Sequence, residues 1–377
     1  MKTLNIGMIG YAFMGKAHSN AWMKAGKFFD LAAKPVMKVV CGRTEKPLAA
    51  FGKKWGWEGI ETDWRKVVRR EDVDVIDICT PNSSHGRIAI AAAAAGKHIA
   101  CEKPLGMNTA DAKRMLAAVQ AARVKNMVWF NYRRTPALSL AKQIIDEGRI
   151  GRVYHVRATY LQDWIMDPSF PLVWRLRKAI AGSGAHGDLN AHIIDMAYWL
   201  VGRIESVTGM TATFIKKRPI APGAKAKGTV TVDDATLFLA RFENGAVGTF
   251  ESTRFAGGRK NANQIEINGS KGTIVFSFER MNELQFLDRT APLHLQGFTN
   301  ILVTEPVHPY IKAWWPGGHI VGYEHTFINQ AADLVNGIAK NRKLSPDFAD
   351  GVYNNQVLDA VLASAKTGAW VTVASRK

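Results

Sequence analysis

The stretch "LNIGMIGYAFMGKAH", Leu4 to His18, opens on a short apolar run, halts at Gly10, and after Gly15 passes into a helical pattern. A β-rich run, a glycine turn and a helix start are the first half of a βαβ unit. The turn reads Gly10-Tyr11-Ala12-Phe13-Met14-Gly15, a G-x-G-x-x-G pattern with alanine in second place. Glycines at such positions allow a tight bend and let a pyrophosphate approach the helix N-terminus. A plain structural strand–helix turn would read much the same, so the neighbouring segments have to decide.

Outward from this turn the rhythm repeats. "VMKVVCG", "VDVIDICTP", "HIACEKP" and "NMVWFNY" are strand-like. Between them lie "DWRKVVRR", with Asp63 as N-cap, "SHGRIAIAAAAAG", with Ser83 or Ser84 as cap and Gly96 as stop, and "ADAKRMLAAVQAA". Near-continuous apolar strands alternating with helices predict a doubly wound parallel sheet, a Rossmann domain over residues 1–131. Beyond residue 150 come "VYHVRATYLQDW", "VTGMTATFI", "DATLFLARF", "AVGTFESTRF", "NQIEING", "TIVFSFER" and "ELQFL". Turn signals such as "ENG" and "NGSKG" join some of these as hairpins. With two late helices, 323–339 and 349–365, residues 132–377 read as an α+β domain on a large, mostly antiparallel open sheet.

At 377 residues two domains are expected, and 47% apolar content describes a packed globular chain. No apolar run is long enough for a membrane span. Cys41, Cys79 and Cys101 form no CxxC pair, which argues against a zinc cluster and suits buried thiols in a reducing cytoplasm. The net charge of +18 is scattered, its densest runs being "WRKVVRR" and Lys216–Arg218, so nucleic acid is not the expected partner.

Chemistry gathers at predicted strand ends. The second strand ends in Gly42-Arg43-Thr44 with no acid for a ribose 2′-hydroxyl. Arg43 suits a 2′-phosphate or the adenine face, or is a solvated surface arginine. An aspartate placed at Gly42 is expected to supply the missing acceptor. "CTPNSSH" carries Thr80, Pro81, Asn82 and His85, and "CEKP" carries Glu102 and Lys103. A lysine there can donate to a substrate hydroxyl or a developing alkoxide, or is a surface lysine beside a turn proline. In "GSGAHGDLNAHIID", Asp188, His192 and Asp195 share one stripe of a predicted helix. An imidazole beside a carboxylate is a proton acceptor with an aligned partner. No third ligand joins them, so no metal is expected.

Taken together, "GMIGYAFMGKAH", "CTPNSSHGRIAIAAAAAGKHIACEKPLG", "FNYRR" and "GDLNAHIID" resemble the glucose–fructose oxidoreductase and inositol dehydrogenase (Gfo/Idh/MocA) family, in its order and over essentially the whole chain. The resemblance implies a nicotinamide enzyme with a catalytic set of Lys103, Asp188 and His192 and a cis peptide before Pro104. It implies cofactor contacts from Gly10, Ala12, Phe13, Met14, Gly15, Arg43, Thr80, Pro81, Asn82, His85, Glu102, Lys103 and Asn131. "YLQDWIMDPSFPLVWRLRKAIAGSGAHGDLNAHIID" looks like members acting on inositols, levoglucosan or pyranosides, which would put Tyr132, Trp164 and Arg175 at the substrate. Ala12, His186 and Asn190 depart from the family pattern.

The expected activity is hydride transfer between NAD, with NADP also accepted, and a secondary alcohol of a cyclic polyol or pyranose. The expected assembly is a homo-oligomer, dimer or tetramer, through the open sheet. Two other readings remain at this point: glycoside cleavage through transient C3 oxidation, and a non-catalytic sugar or dinucleotide sensor.

Overall fold

The computed structural model describes residues 2–373. The chain divides into two compact units, one running to Arg134 and adding Val321–Tyr353, the other comprising Thr135–Ile320 and the chain from Asn354 on.

The first unit begins β1 (Thr3–Ile9), α1 (Phe13–Phe28), β2 (Lys34–Cys41), α2 (Glu45–Trp55), β3 (Gly59–Glu61) and α3 (Trp64–Arg69). It continues β4 (Val75–Ile78), α4 (His85–Ala94), β5 (His98–Cys101), α5 (Thr109–Ala121) and β6 (Asn126–Val128). The six strands form one parallel sheet in the order β3-β2-β1-β4-β5-β6. Its order reverses at β1, the switch point beyond whose strand ends such sheets bind ligands. Val75, Ile76, Asp77 and Ile78 of β4 are all buried, since helices cover both faces.

Local chemistry follows the sequence in part. Asp63 caps α3, accepting from the Arg65 amide at 3.0 Å. Ser84 stands at the start of α4 but gives no cap bond; its hydroxyl bonds Thr80 Oγ1 and the Pro81 carbonyl. α2 and β3 were not expected; α2 buries Leu48, Phe51 and Gly52. The expected strand 126–132 closes early, and Asn131–Arg134 make a single helical turn.

The second unit holds α6 (Pro136–Asp146), β7 (Val153–Leu161), α7 (Lys178–Ala181), α8 (Ala191–Val201) and β8 (Ile204–Ala212). Then follow β9 (Lys217–Pro219), β10 (Lys227–Thr229), β11 (Ala235–Phe242), β12 (Val247–Thr253), β13 (Ala262–Gly269), β14 (Gly272–Ser277), β15 (Glu283–Asp288) and β16 (Thr299–Leu302). Nine strands form a sheet ordered β16-β15-β14-β13-β7-β12-β11-β8-β17, where β17 is Val371–Thr372. It is antiparallel except where β12 and β7 run parallel. From Thr236 onward burial along β11 alternates, with Thr236, Phe238, Ala240 and Phe242 inward and Leu237, Leu239 and Arg241 outward.

The late helices are α9 (Tyr323–Ala339) and α10 (Phe348–Thr367). Assigning everything after residue 131 to one C-terminal domain does not match the compact units. α9 packs along α1, and Phe327 places its ring 5.4 Å from that of His18. An apolar helix goes where it buries most surface, irrespective of chain order.

Phe238 and Phe250 stack across β11 and β12 with ring centroids 4.5 Å apart, both buried. Phe238→Ala is therefore expected to destabilise the fold by about 3–5 kcal/mol, measured by urea unfolding.

Candidate active site

In the first unit, the candidate cofactor residues sit at the carboxyl ends of parallel strands. Gly10 holds φ +108°, and a Cβ on it would lie 2.5 Å from the Cys79 carbonyl oxygen. A Cβ on Gly15 would lie 2.5 Å from the Gly10 carbonyl oxygen. Both positions therefore require glycine. Ala12 begins α1 with no side-chain cap and no acid in the first turn, so the helix's first amides face no competing anion. Such a terminus fits a pyrophosphate. Ala12 and Phe13 are exposed, and Phe13 stacks on Tyr323.

At the tip of β2, Arg43 and Thr44 are exposed. Gly42 is covered by the Tyr11 ring, which a Cβ would meet at 2.1 Å. An aspartate there requires the ring to shift.

His85 is wholly buried, with Nδ1 and Nε2 against the carbonyls of Pro104 and Thr80 at 3.1 and 2.9 Å, and burial lowers its pKa. It braces the segments that carry Thr80 and Pro104. The Lys103–Pro104 peptide is cis, as the resemblance implied. The Glu102 carboxylate points inward: Oε1 lies 2.9 Å from His18 Nε2, and Oε2 accepts from the Lys103 amide at 3.2 Å. There it supports the backbone of Lys103. Asn131 is buried and donates to Thr326 Oγ1, and Tyr132 is buried beside it in sequence.

His18, on α1, was missed by sequence reading. Its Nδ1 lies 3.0 Å from Asp77 Oδ2, and Asp77 also accepts the indole N–H groups of Trp22 and Trp129 at 2.7 and 2.9 Å. Burial opposes protonation of His18, but Asp77 outweighs it, with Cys79 adding, and the pKa stands well above the usual histidine value. His18, Asp77 and Cys79 converge closely enough for a metal. The Asp77 oxygens are already taken by three donors, however, and burial pushes the Cys79 thiol upward and away from thiolate.

In the second unit, His186–Asn190 form a π-helical turn that runs into α8. Such widened turns recur at functional sites. Asp233 anchors the turn, accepting from the Gly184 and His186 amides at 2.7 Å each. The two departures, His186 and Asn190, explain each other. His186 Nε2 donates to the Leu358 carbonyl at 2.9 Å, leaving Nδ1 to accept the Asn190 amide at 3.0 Å. Burial lowers the pKa of His186 and keeps it neutral.

Of the expected column, the Asp188 side chain remains 29% exposed, whereas His192 and Asp195 are buried. The His192 ring lies 5.9 Å from that of Tyr160. Asp188 Oδ2 accepts from Arg254 Nη2 at 2.6 Å and lies 3.9 Å from Arg175 Nε. The Arg254 guanidinium sits 5.2 Å from the Trp164 ring centre. Trp164 donates to Gln162 Oε1 at 2.8 Å, and Gln162 and Tyr160 both donate to Asn261 Oδ1. The segment bearing Trp164 and Arg175 is anchored by Ile165, Leu172 and Leu176 against Val230 and Val232. Arg218 fastens it too, donating to the carbonyls of Ile165, Asp167 and Phe170. This arginine, one of the basic run 216–218, is fully buried.

Arg254, Gln162, Tyr160 and Asn261 went unread in the sequence. Arg254 had a signal: it continues the inward parity of Phe250 and Ser252, which puts a charge on a buried face.

Residues 4–132 match the model of an oxidoreductase family with an NAD-binding Rossmann fold, and residues 138–275 match the GFO/IDH/MocA C-terminal domain. A solved oxidoreductase domain protein from Kribbella flavida is 52% identical, with TM-score 0.97 and all of both chains covered. A levoglucosan dehydrogenase from Pseudarthrobacter phenanthrenivorans is 45% identical over 99% of each chain. A levoglucosan dehydrogenase solved with NADH and levoglucosan has TM-score 0.96 over 99% of this chain and 100% of its own.

The His18 cluster has a pH signature. A histidine whose pKa rises on folding stabilises the native state fully below its unfolded pKa of about 6.5, and that contribution is lost as pH climbs through the folded value. Unfolding free energy should fall by up to about 1.4 kcal/mol per pH unit above pH ~6.5 from this group. In His18→Asn that component of the slope should vanish from urea unfolding measured at successive pH values. Asp77→Asn should destabilise the protein by about 3–5 kcal/mol, as expected for one partner removed from a buried pair.

Proposed function

Because this chain belongs to the GFO/IDH/MocA family of oxidoreductases, we propose that its substrate is an anhydropyranose of the levoglucosan type, oxidised at one secondary hydroxyl. The reaction class is NAD-dependent oxidation of a CH–OH group in a sugar or cyclic polyol. The observation that carries the substrate reading is the pairing of Asp188 and His192 at one helix start beside Arg254 and Trp164, in a chain 45% identical throughout to a levoglucosan dehydrogenase.

In this reading His192 takes the hydroxyl proton, an imidazole being a competent general base at neutral pH. Asp188 accepts a hydrogen bond from a neighbouring hydroxyl and fixes the ring's rotation. Lys103, on a turn held by Glu102 and His18, donates to the oxygen whose charge grows. Trp164 offers an apolar face to the pyranose, and Arg175 and Tyr132 bond its hydroxyls. NAD supplies the hydride acceptor, with the amides after Gly10 at the start of α1 holding its pyrophosphate. The residues 1–131 thus serve the cofactor and most of the remainder the substrate and assembly.

The open face of the nine-stranded sheet supports a homo-oligomer. Met210, Leu237, Leu239 and Val247 are 41–60% exposed there, more apolar surface than a solitary sheet usually shows water. Three free buried thiols and the absence, among the described residues, of any helix long and apolar enough to cross a membrane suit a reducing cytoplasm.

Levoglucosan, myo-inositol and methyl glucosides, each tried with NAD and NADP, should separate the alternatives. Levoglucosan should give the highest kcat/KM, with NAD preferred and NADP measurable; no reduction with any of them would overturn the proposal. Lys103→Ala should lower kcat by about 10²–10⁴-fold while sparing NADH binding. His192→Asn should remove the rise of kcat/KM to its alkaline plateau. Leu239→Lys should shift the sedimentation coefficient toward the monomer.

A further inference from the structure

Arg254 follows β12 directly, and its side chain is 1% exposed. Nη2 is spent on Asp188 Oδ2 at 2.6 Å. Nε and Nη1 are buried without a hydrogen-bond acceptor, and the guanidinium lies against the Trp164 indole, 5.2 Å from the ring centre. A buried guanidinium left with one carboxylate and one π face cannot shed its proton, because arginine stays charged at any accessible pH. Its electrostatic compensation therefore rests on Asp188 remaining an anion. Arg175 lies 3.9 Å from the same oxygen but is 34% exposed, so water screens much of its influence. His192 stands one turn along the helix and Tyr160 beside it, and neither supplies a fixed positive charge.

We propose that Arg254 is a positioning residue that fixes both the charge and the aim of Asp188, making it a permanent hydrogen-bond acceptor for a substrate hydroxyl. The inference rests on the reading above that Asp188 meets substrate. Arg254 touches no substrate itself, since its free N–H groups are buried. Trp164, Arg254 and Asp188 form one stack in which the ring that faces the sugar also covers the cation that charges the acceptor. The site so built requires a ligand that donates a hydrogen bond at that position. A substrate carrying an ether or a hydrogen there cannot donate to Asp188 and binds more weakly.

The test uses the full-length enzyme with NAD and levoglucosan, or the best substrate of the panel, over pH 5–10. Removing an adjacent opposite charge raises a carboxylate's pKa by about one to three units. In Arg254→Met, kcat/KM should acquire a second protonation on its acid side that the wild type lacks over this range. Arg254→Gln should do the same if the methionine variant does not fold. Arg254→Lys, which keeps the charge and loses the planar stack, should retain the wild-type profile with KM raised about tenfold. Asp188→Asn combined with either neutral variant should abolish the added step, and NADH affinity should stay unchanged throughout. A neutral variant whose profile superimposes on the wild type, while Asp188→Asn is impaired, overturns the role of Arg254 alone. Wild-type kinetics in Asp188→Asn would instead remove Asp188 from the site and overturn the reading beneath it.

Discussion

A protonated imidazole sealed from water and gripped by two carboxylates holds the first unit in register. His18 belongs to α1, Asp77 to β4, and Glu102 to the turn after β5. The helix that begins at the glycine turn, the central strand and the lysine-bearing turn are thereby joined through one ring. Two indoles complete the shell around Asp77, so each oxygen has a donor. An ion system this deep contributes less to net stability than to uniqueness, because any alternative packing would strand at least one charge.

The second unit repeats the logic with different partners. Asp233 satisfies the amides that open the π turn, Arg254 matches Asp188, and Arg218 gathers three carbonyls of the loop that carries Trp164. In each case a buried charge meets groups on irregular chain, backbone for Asp233 and Arg218 and a carboxylate for Arg254, and the constraint falls on a segment bearing a candidate ligand. Polar residues on irregular chain are thus held nearly as firmly as those on strands. A sugar site requires this, since hydrogen bonds select only when their geometry is fixed.

Much of this was legible beforehand, and the gaps have physical causes. Period-2 alternation in "DATLFLARF" and the apolar run "VDVIDI" declared the two sheets, because burial on one face or on both imprints directly on sequence. Asp188 and His192 stood out as ionisable groups inside an apolar helix pattern. His18 did not, since a histidine on a helix start looks the same whether it meets water or two carboxylates contributed from 59 and 84 residues away. Glu102 and His85 are expected at a ligand because strand ends usually face one; that their side chains also meet His18 and two carbonyls is settled by neighbours the fold brings up. α9 was located by its pattern, but its place along α1 depends on which apolar surface remains uncovered, a property of the folded chain.

The contact between Tyr11 and Gly42 constrains what descendants of this chain can become. A residue with any side chain at position 42 meets the Tyr11 ring, so an acidic tip on β2 requires that ring to turn aside or position 11 to change. The order of substitutions matters: the same aspartate displaces a ring on the present background and displaces nothing on one where the ring has already shrunk. Homologues that bear an acid at this tip should therefore carry a smaller residue after the first glycine, a paired substitution visible in any sufficiently deep collection of relatives.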